Sequence, residues 1–259
     1  MPRDKAVLKK TAVILTFFSA IICIGIIMTH ISHSFNYLVA SVSKTVRLVP
    51  IYKVDTPQKA VAISFDASWG AEHTLEILDI LDKYNVKTTF FLVNIWLEDY
   101  PEIAREIAAR GHEIGLHSAT HPHCTQISQA QLEKELSNNF NKVKEITGYT
   151  ARLFRPPFGD YNNTVISTAE SLGYIPVQWS IDSLDWKDLS TQEIQSRVLK
   201  KLSAGDIVLF HNNGKHTAEA LEPILREIIN NRGLGVVPVS SLLLRDNYYI
   251  DTAGIQRVK

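Results

Sequence analysis

The feature that most restricts the fold of this chain is an alternation, running from about residue 59 to about 245, of short β-branched or apolar runs with longer amphipathic stretches. Strands are expected at Ala60–Phe65, Thr88–Val93, Glu113–Leu116, Leu153–Phe154, Ile175–Trp179, Asp206–Phe210 and Gly235–Val239. Helices are expected between them at Thr74–Tyr84, Pro101–Arg110, Gln129–Gly148, Thr164–Leu172, Thr191–Leu202 and Thr217–Asn231. Leu75, Leu78, Ile80 and Leu81 approximate a helical stripe, and Pro101 stands where a first helical residue tolerates proline. A parallel strand pair needs a long crossover, so about seven such repeats predict an α/β fold whose sheet curls into a closed or nearly closed barrel.

Ahead of this pattern, Thr11 to Met28 carries no charged residue and is long enough to cross a bilayer. Arg3, Lys5, Lys9 and Lys10 precede it with only Asp4 against them, which predicts a cytoplasmic tail and an extracytoplasmic remainder. A cleaved signal peptide is the competing reading, but the apolar run exceeds a usual signal core and no A-x-A site directly follows. The expected organisation is a tail over 1–10, a transmembrane signal anchor over 11–30, a juxtamembrane connector over 31–58, the barrel over 59–245 and a C-terminal tail over 246–259. One strand is expected near Val46 to Tyr52. The two cysteines, Cys23 in the apolar run and Cys124 beyond it, leave the exported part no internal disulfide. Lys plus Arg and Asp plus Glu each total 27, so no long-range field points to nucleic acid as a partner.

In β/α barrels the chemistry gathers at the carboxyl ends of the strands. The residues there are unusually polar: Asp66 after VAISF, His117 after EIGL, Arg155 after LF, Asp182 and Asp185 after VQWSI, and His211 after IVLF. His117 and His121 in HSATH are four apart, a spacing that lets two imidazoles hold one divalent ion, although such pairs are also common as surface or capping residues. Asp66, on a buried strand, needs a cationic partner or a catalytic reason, and Arg155 in RPPFG is the available one. A carboxylate so held stays ionised and could act as a general base, or the pair could be a structural salt bridge. His211, before the turn-forming run Asn212-Asn213-Gly214, could protonate a leaving amine if Asp185 or Asp182 favours its imidazolium. Trp186 and Trp69 offer flat faces suited to a sugar ring, or to a core.

With these residues in view, the chain resembles the NodB-homology polysaccharide deacetylases, carbohydrate esterase family four, from about Lys59 to about Leu244. HSATH matches the family's metal-binding pair, RPPFG its arginine motif, DSLDW its aspartate-tryptophan motif and LFH its leucine-x-histidine motif. The resemblance implies a distorted (β/α)7 barrel that removes N-acetyl groups from glycans with a divalent metal, commonly zinc, as Lewis acid and water activator. It makes Asp66 the base, Arg155 its orienting partner, His211 the acid and Asp185 the tether of His211, with His117 and His121 as metal ligands and Trp186, Trp69, Phe158 and Leu209 as substrate contacts. The first motif departs: where the family has consecutive aspartates, this chain reads Asp66-Ala67, so Ala67 occupies the place of the third ligand. Glu72, His73 or a water would have to complete the shell, while His123 and Cys124 read as loop residues. The FDxSWG form with an N-terminal anchor is similar to the PdaB-like sporulation subgroup, which implies cell-wall or spore peptidoglycan as substrate. The alternative is a catalytically impaired glycan-binding or structural module on the same fold, for which Ala67 is the reason.

Overall fold

The computed structural model describes residues 21–31 and 47–259, in two compact units that divide after Val46. In the first unit residues 21–31 are helical and expose Ile21, Ile22, Ile24, Ile26, Ile27, Met28 and Ile31. Residues 11–20 of the expected membrane span lie outside the described residues. Among the described residues no helix is long and apolar enough to cross a membrane.

The second unit is built around β2 (Ala60–Ala67), whose eight residues are all buried. Its alternate side chains face two different cores. Val61, Ile63, Phe65 and Ala67 join the apolar layer beneath the helices, where Phe65 stacks on Phe90 at 4.8 Å and Phe210 at 5.8 Å. Ala60 and Ala62 join a smaller concave core with Phe91, Leu153, Val177 and Ile207. This double burial explains the nearly continuous apolar run.

The strands flanking β2 are β3 (Thr89–Leu92), β4 (Glu113–Leu116), β5 (Leu153–Phe154), β6 (Ile175–Pro176), β7 (Ile181–Asp182), β8 (Ile207–His211) and β9 (Gly235–Val237). They run parallel in the order β6-β5-β4-β3-β2-β8-β7. Ala62 pairs with both Ile207 of β8 and Val237 of β9, and Ser64 with both Thr89 of β3 and Leu209 of β8. Hence β9 and β3 share one edge of β2 and β8 takes the other.

The sheet is an open half-barrel rather than the closed or nearly closed barrel expected. The expected strand Ile175–Trp179 shortens to β6, and beyond Ser180 a separate strand, β7, lies at the opposite edge of the sheet. Pro176 cannot donate to a ladder, which suits it to an edge. The seam is filled by the segment expected to be a connector: Ile51 N–H donates to the Pro176 carbonyl at 3.1 Å and Gln178 N–H donates back to the Ile51 carbonyl at 2.7 Å. Residues 246–259, expected as a tail, carry β10 (Tyr248–Ile250) and β11 (Ile255–Val258), which with β1 (Lys53–Val54) form a three-stranded sheet. The buried Gln256 side chain both accepts from Leu244 N–H (2.8 Å) and donates to its carbonyl (3.0 Å), fastening this sheet to the domain.

The helices follow local rules more closely. Capping boxes at Ser128/Gln131 and Ser190/Glu193 start the helices Gln129–Thr147 and Thr191–Lys201, and Gly148, at φ 72°, ends the first. The helix Asn94–Asp99 was not anticipated, because its apolar residues continue the run of β3 without a break in pattern.

Candidate active site

The cross-strand register assembles the centre of the site. Asp66, at the end of β2, pairs directly with His211, at the end of β8. His117 follows β4 and Arg155 follows β5, the two strands beyond β3 on the other side of β2. Residues separated by as many as 145 positions thus reach one rim of the sheet because their strands are parallel and end together.

Asp66 is buried and has a different partner on each oxygen. Oδ1 accepts from Arg155 Nη1 at 2.7 Å, and Oδ2 lies 3.5 Å from His117 Nε2. Burial alone would raise this carboxyl, but the charges of Arg155 and His211 win and hold it below the usual carboxylate range. Arg155, with no exposed surface, donates Nη2 to Ser64 Oγ at 2.9 Å and to the Gln178 carbonyl at 3.1 Å, and lies 4.1 Å over the Phe91 ring. Burial pulls its guanidinium down against the attraction of Asp66, yet a guanidinium titrates so far above neutrality that it stays charged.

The His117 Nδ1–H donates to the Arg155 carbonyl at 2.8 Å, which assigns the tautomer and leaves the Nε2 lone pair facing Asp66. The His121 ring sits 5.0 Å from that of His117, wedged edge-on between Trp69 (4.8 Å) and Phe158 (4.5 Å), and its buried Nδ1 has no hydrogen-bond partner. Burial drives both imidazoles down, His121 to about 3, so both are neutral donors of electron pairs at neutral pH.

Across the cleft, His211 Nδ1–H donates to Asp185 Oδ1 at 2.7 Å. The other Asp185 oxygen accepts from His211 N–H (2.8 Å) and Thr217 Oγ–H (2.6 Å), so this fully buried carboxylate is fixed in direction. Burial works against a charged His211, but the hydrogen bond and charge of Asp185 prevail and raise it. Asp182, the other candidate tether, accepts from Leu184 N–H in a local turn instead.

The aromatic candidates separate into rim and floor. Trp69 is 62% exposed and Phe158 and Trp186 are each 57% exposed, whereas Leu209 is buried, one pleat below His211. Supporting residues passed over at the sequence level include Ser64, Thr217, Asn139 and Glu135; Ser64, polar within an apolar strand, was the one with a visible signal.

A catalytic metal would have to draw on the donors at this rim. Two neutral imidazoles with a fixed tautomer and an unpartnered nitrogen suit such an ion, but a catalytic zinc takes three protein ligands. Among the described residues no group of three or more His, Cys, Asp or Glu side chains could hold one. Ala67 is buried in the apolar layer on the helix side of β2. The other candidates are engaged elsewhere: Glu72 accepts from Ala71 N–H, His73 lies 3.9 Å from Glu76, and His123 stacks on Phe158 at 4.2 Å. Burial raises the Cys124 thiol to about 12, leaving it protonated. The donor set therefore does not fit a three-ligand zinc centre.

The family model for polysaccharide deacetylase matches residues 53–177. A peptidoglycan-N-acetylglucosamine deacetylase of Bacillus cereus is 35% identical over 201 residues, 74% of this chain and 92% of that protein. The chain belongs to the polysaccharide deacetylase family. The Bacillus subtilis protein YlxY is 32% identical over 194 residues, 75% of this chain, which spans only 60% of that relative's length. Among solved structures, BA3943 of Bacillus anthracis, described as a CE4 family pseudoenzyme, aligns with a TM-score of 0.73 at 30% identity over 77% of this chain and 71% of that one. A BA3943 mutant described as having restored enzymatic activity aligns at 0.72 and 31% identity.

Proposed function

We propose that this protein hydrolyses the N-acetyl groups of a cell-wall amino-sugar polymer, with peptidoglycan as the substrate. The observation that carries this reading is the cross-strand pairing of Asp66 with His211, each held by its own oppositely charged partner. One group is thereby kept deprotonated and its neighbour disposed to protonation, the division of labour that amide hydrolysis needs. Asp66 takes a proton from water as the water oxygen bonds to the acetyl carbon. His211 delivers its Nε2 proton to the nitrogen as the carbon–nitrogen bond breaks, releasing acetate and a free amine. The exposed rings of Trp69, Phe158 and Trp186 flank the cleft where sugar rings would stack.

A specific observation favours a second reading, a glycan-binding module without turnover: Ala67 at the third-ligand position, together with the likeness to a named pseudoenzyme. The basic tail ahead of residues 11–28, and the apolar side chains exposed over 21–31, support a membrane-held protein acting outside the cytoplasm. The similarity to the PdaB-like subgroup supports a role in sporulation.

The deciding experiment incubates the full chain, in detergent, with N-acetylglucosamine oligomers and with peptidoglycan, with and without added divalent metals, and measures acetate. Release that disappears in Asp66→Asn and His211→Ala supports the hydrolase. Glycan binding with no acetate from any substrate supports the module.

A further inference from the structure

The loop that carries His117 and His121 has an unusual backbone. Ser118 (φ 70°) and His121 (φ 57°) both occupy the left-handed region, which non-glycine residues rarely adopt without compensation. His121 N–H donates to Ser118 Oγ at 3.0 Å, closing the loop on itself, but that bond leaves the intervening amides unserved.

They are served from one face of the helix Gln129–Thr147. Glu135 and Asn139, four residues apart, lie on the same side of that helix. Glu135 Oε2 accepts from Ala119 N–H at 2.9 Å and Thr120 N–H at 2.7 Å, while Oε1 accepts from Thr120 Oγ–H at 2.9 Å. Successive amides converging on one anion form a nest, here filled by the protein's own carboxylate. Asn139 Oδ1 accepts from His117 N–H at 2.9 Å, and its Nδ2 donates to the Leu92 carbonyl at 3.0 Å and to Asn94 Oδ1 at 2.8 Å. One helix face therefore grips the loop at both ends and ties it to the end of β3.

We propose that Glu135 is a positioning residue, acting with Asn139 to hold the left-handed HSATH loop so that the His117 ring faces Asp66 and the His121 ring stays beside it between Trp69 and Phe158. Glu135 touches neither the reacting groups nor the aromatic rim. Its effect is to fix the peptide planes that aim the two imidazoles. The catalytic consequence rests on the hydrolase reading; the orientation of the rings does not.

The test compares Glu135→Ala and Glu135→Gln in the full chain. The first removes every acceptor; the second keeps one oxygen for the two amides. Because His121 lies edge-on to Trp69 and Phe158, its ring protons carry ring-current shifts that report orientation directly. In Glu135→Ala these shifts should collapse toward those of a free imidazole, and the Ala119 and Thr120 amides should exchange at least about tenfold faster, as expected for loss of charge-assisted hydrogen bonds. Glu135→Gln should restore most of both. With acetate release as the assay, kcat should fall about tenfold or more with KM little changed, because misplacement acts on the chemical step. Unchanged His121 shifts in Glu135→Ala would overturn the proposal, as would displaced shifts with unchanged kcat. If the parent chain releases no acetate, the hydrolase reading fails and the shifts alone decide the role of Glu135.

Discussion

Replacing Arg155 by Met tests the electrostatic logic of the site most directly. Arg155 is fully buried, pairs with Asp66 at 2.7 Å and also satisfies Ser64 and the Gln178 carbonyl, so its loss strands a buried carboxylate. Removing one partner of a buried pair costs about 3–5 kcal/mol, whereas replacing both by uncharged groups is often close to neutral. Arg155→Met should therefore lose about that much stability, and Asp66→Asn with Arg155→Met should recover at least about 1 kcal/mol of it, a coupling visible in a double-mutant cycle. The pH dependence follows from the sign of the shift. In the parent protein the folded Asp66 carboxyl lies below its ordinary value, so its contribution is full above about 3.9 and is lost as pH falls through the folded value. Without Arg155, burial acts against the charge with only His211 opposing it. The carboxyl then shifts upward, and ionised Asp66 destabilises the fold at neutral pH. The penalty of Arg155→Met should thus be largest near neutrality and shrink toward about pH 4, where the variant protonates Asp66. Urea unfolding of the full chain in detergent, with slopes compared to confirm the same transition, measures both quantities. A loss below about 1 kcal/mol at neutral pH, or one equal at both pH values, would refute the reasoning.

Asp185→Asn should lower kcat for acetate release by about a hundredfold, the scale of general acid catalysis, and move the basic limb of the pH–rate profile to lower pH. Because the folded His211 value is raised, its pair with Asp185 stabilises the fold fully below about 6.5 and loses that contribution as pH rises through the folded value, a trend that Asp185→Asn should flatten in unfolding measurements. A chain starting at residue 59 should be far less stable than one starting at residue 47, since Ile51 and Val54 are buried in the seam and each is worth about 1.5–3 kcal/mol; equal thermal midpoints would sink this. Trp186→Ala and Trp69→Ala should weaken binding of N-acetylglucosamine oligomers several-fold in calorimetry while leaving the unfolding midpoint nearly unchanged, because both rings are mostly exposed.

Some of this protein was legible in one dimension because the relevant physics is local. Buried parallel strands are short apolar runs, helices carry a stripe and a cap, and chemistry-bearing residues sit directly after the strands, so Asp66, His117, Arg155 and His211 could be picked out together from the sequence. Only the family resemblance favoured Asp185 over Asp182 as the tether of His211; from chemistry and position alone that choice was not legible, because the two residues differ only in which way a tight turn points them. Nor were Glu135 and Asn139, ordinary residues on an amphipathic helix whose partners lie in a loop packed against it.

The largest departures concern elements with little pattern of their own. Tyr248–Ile250, Ile255–Val258 and Lys53–Val54 are too short to show a period, and they are strands because the central one, Ile255–Val258, supplies hydrogen-bond partners to the other two. The half-barrel is open between β6 and β7, and the seam is filled by Ile51, a residue from outside the repeating pattern that pairs with the free edge of β6. The α/β class and the polar residues at the strand ends are written into the order of residues, since periodicity and strand–helix alternation are properties of neighbours along the chain. Tertiary structure alone decided where the sheet stops, what closes its gap and which oxygens each charged group meets, since those depend on groups brought together only when the strands register.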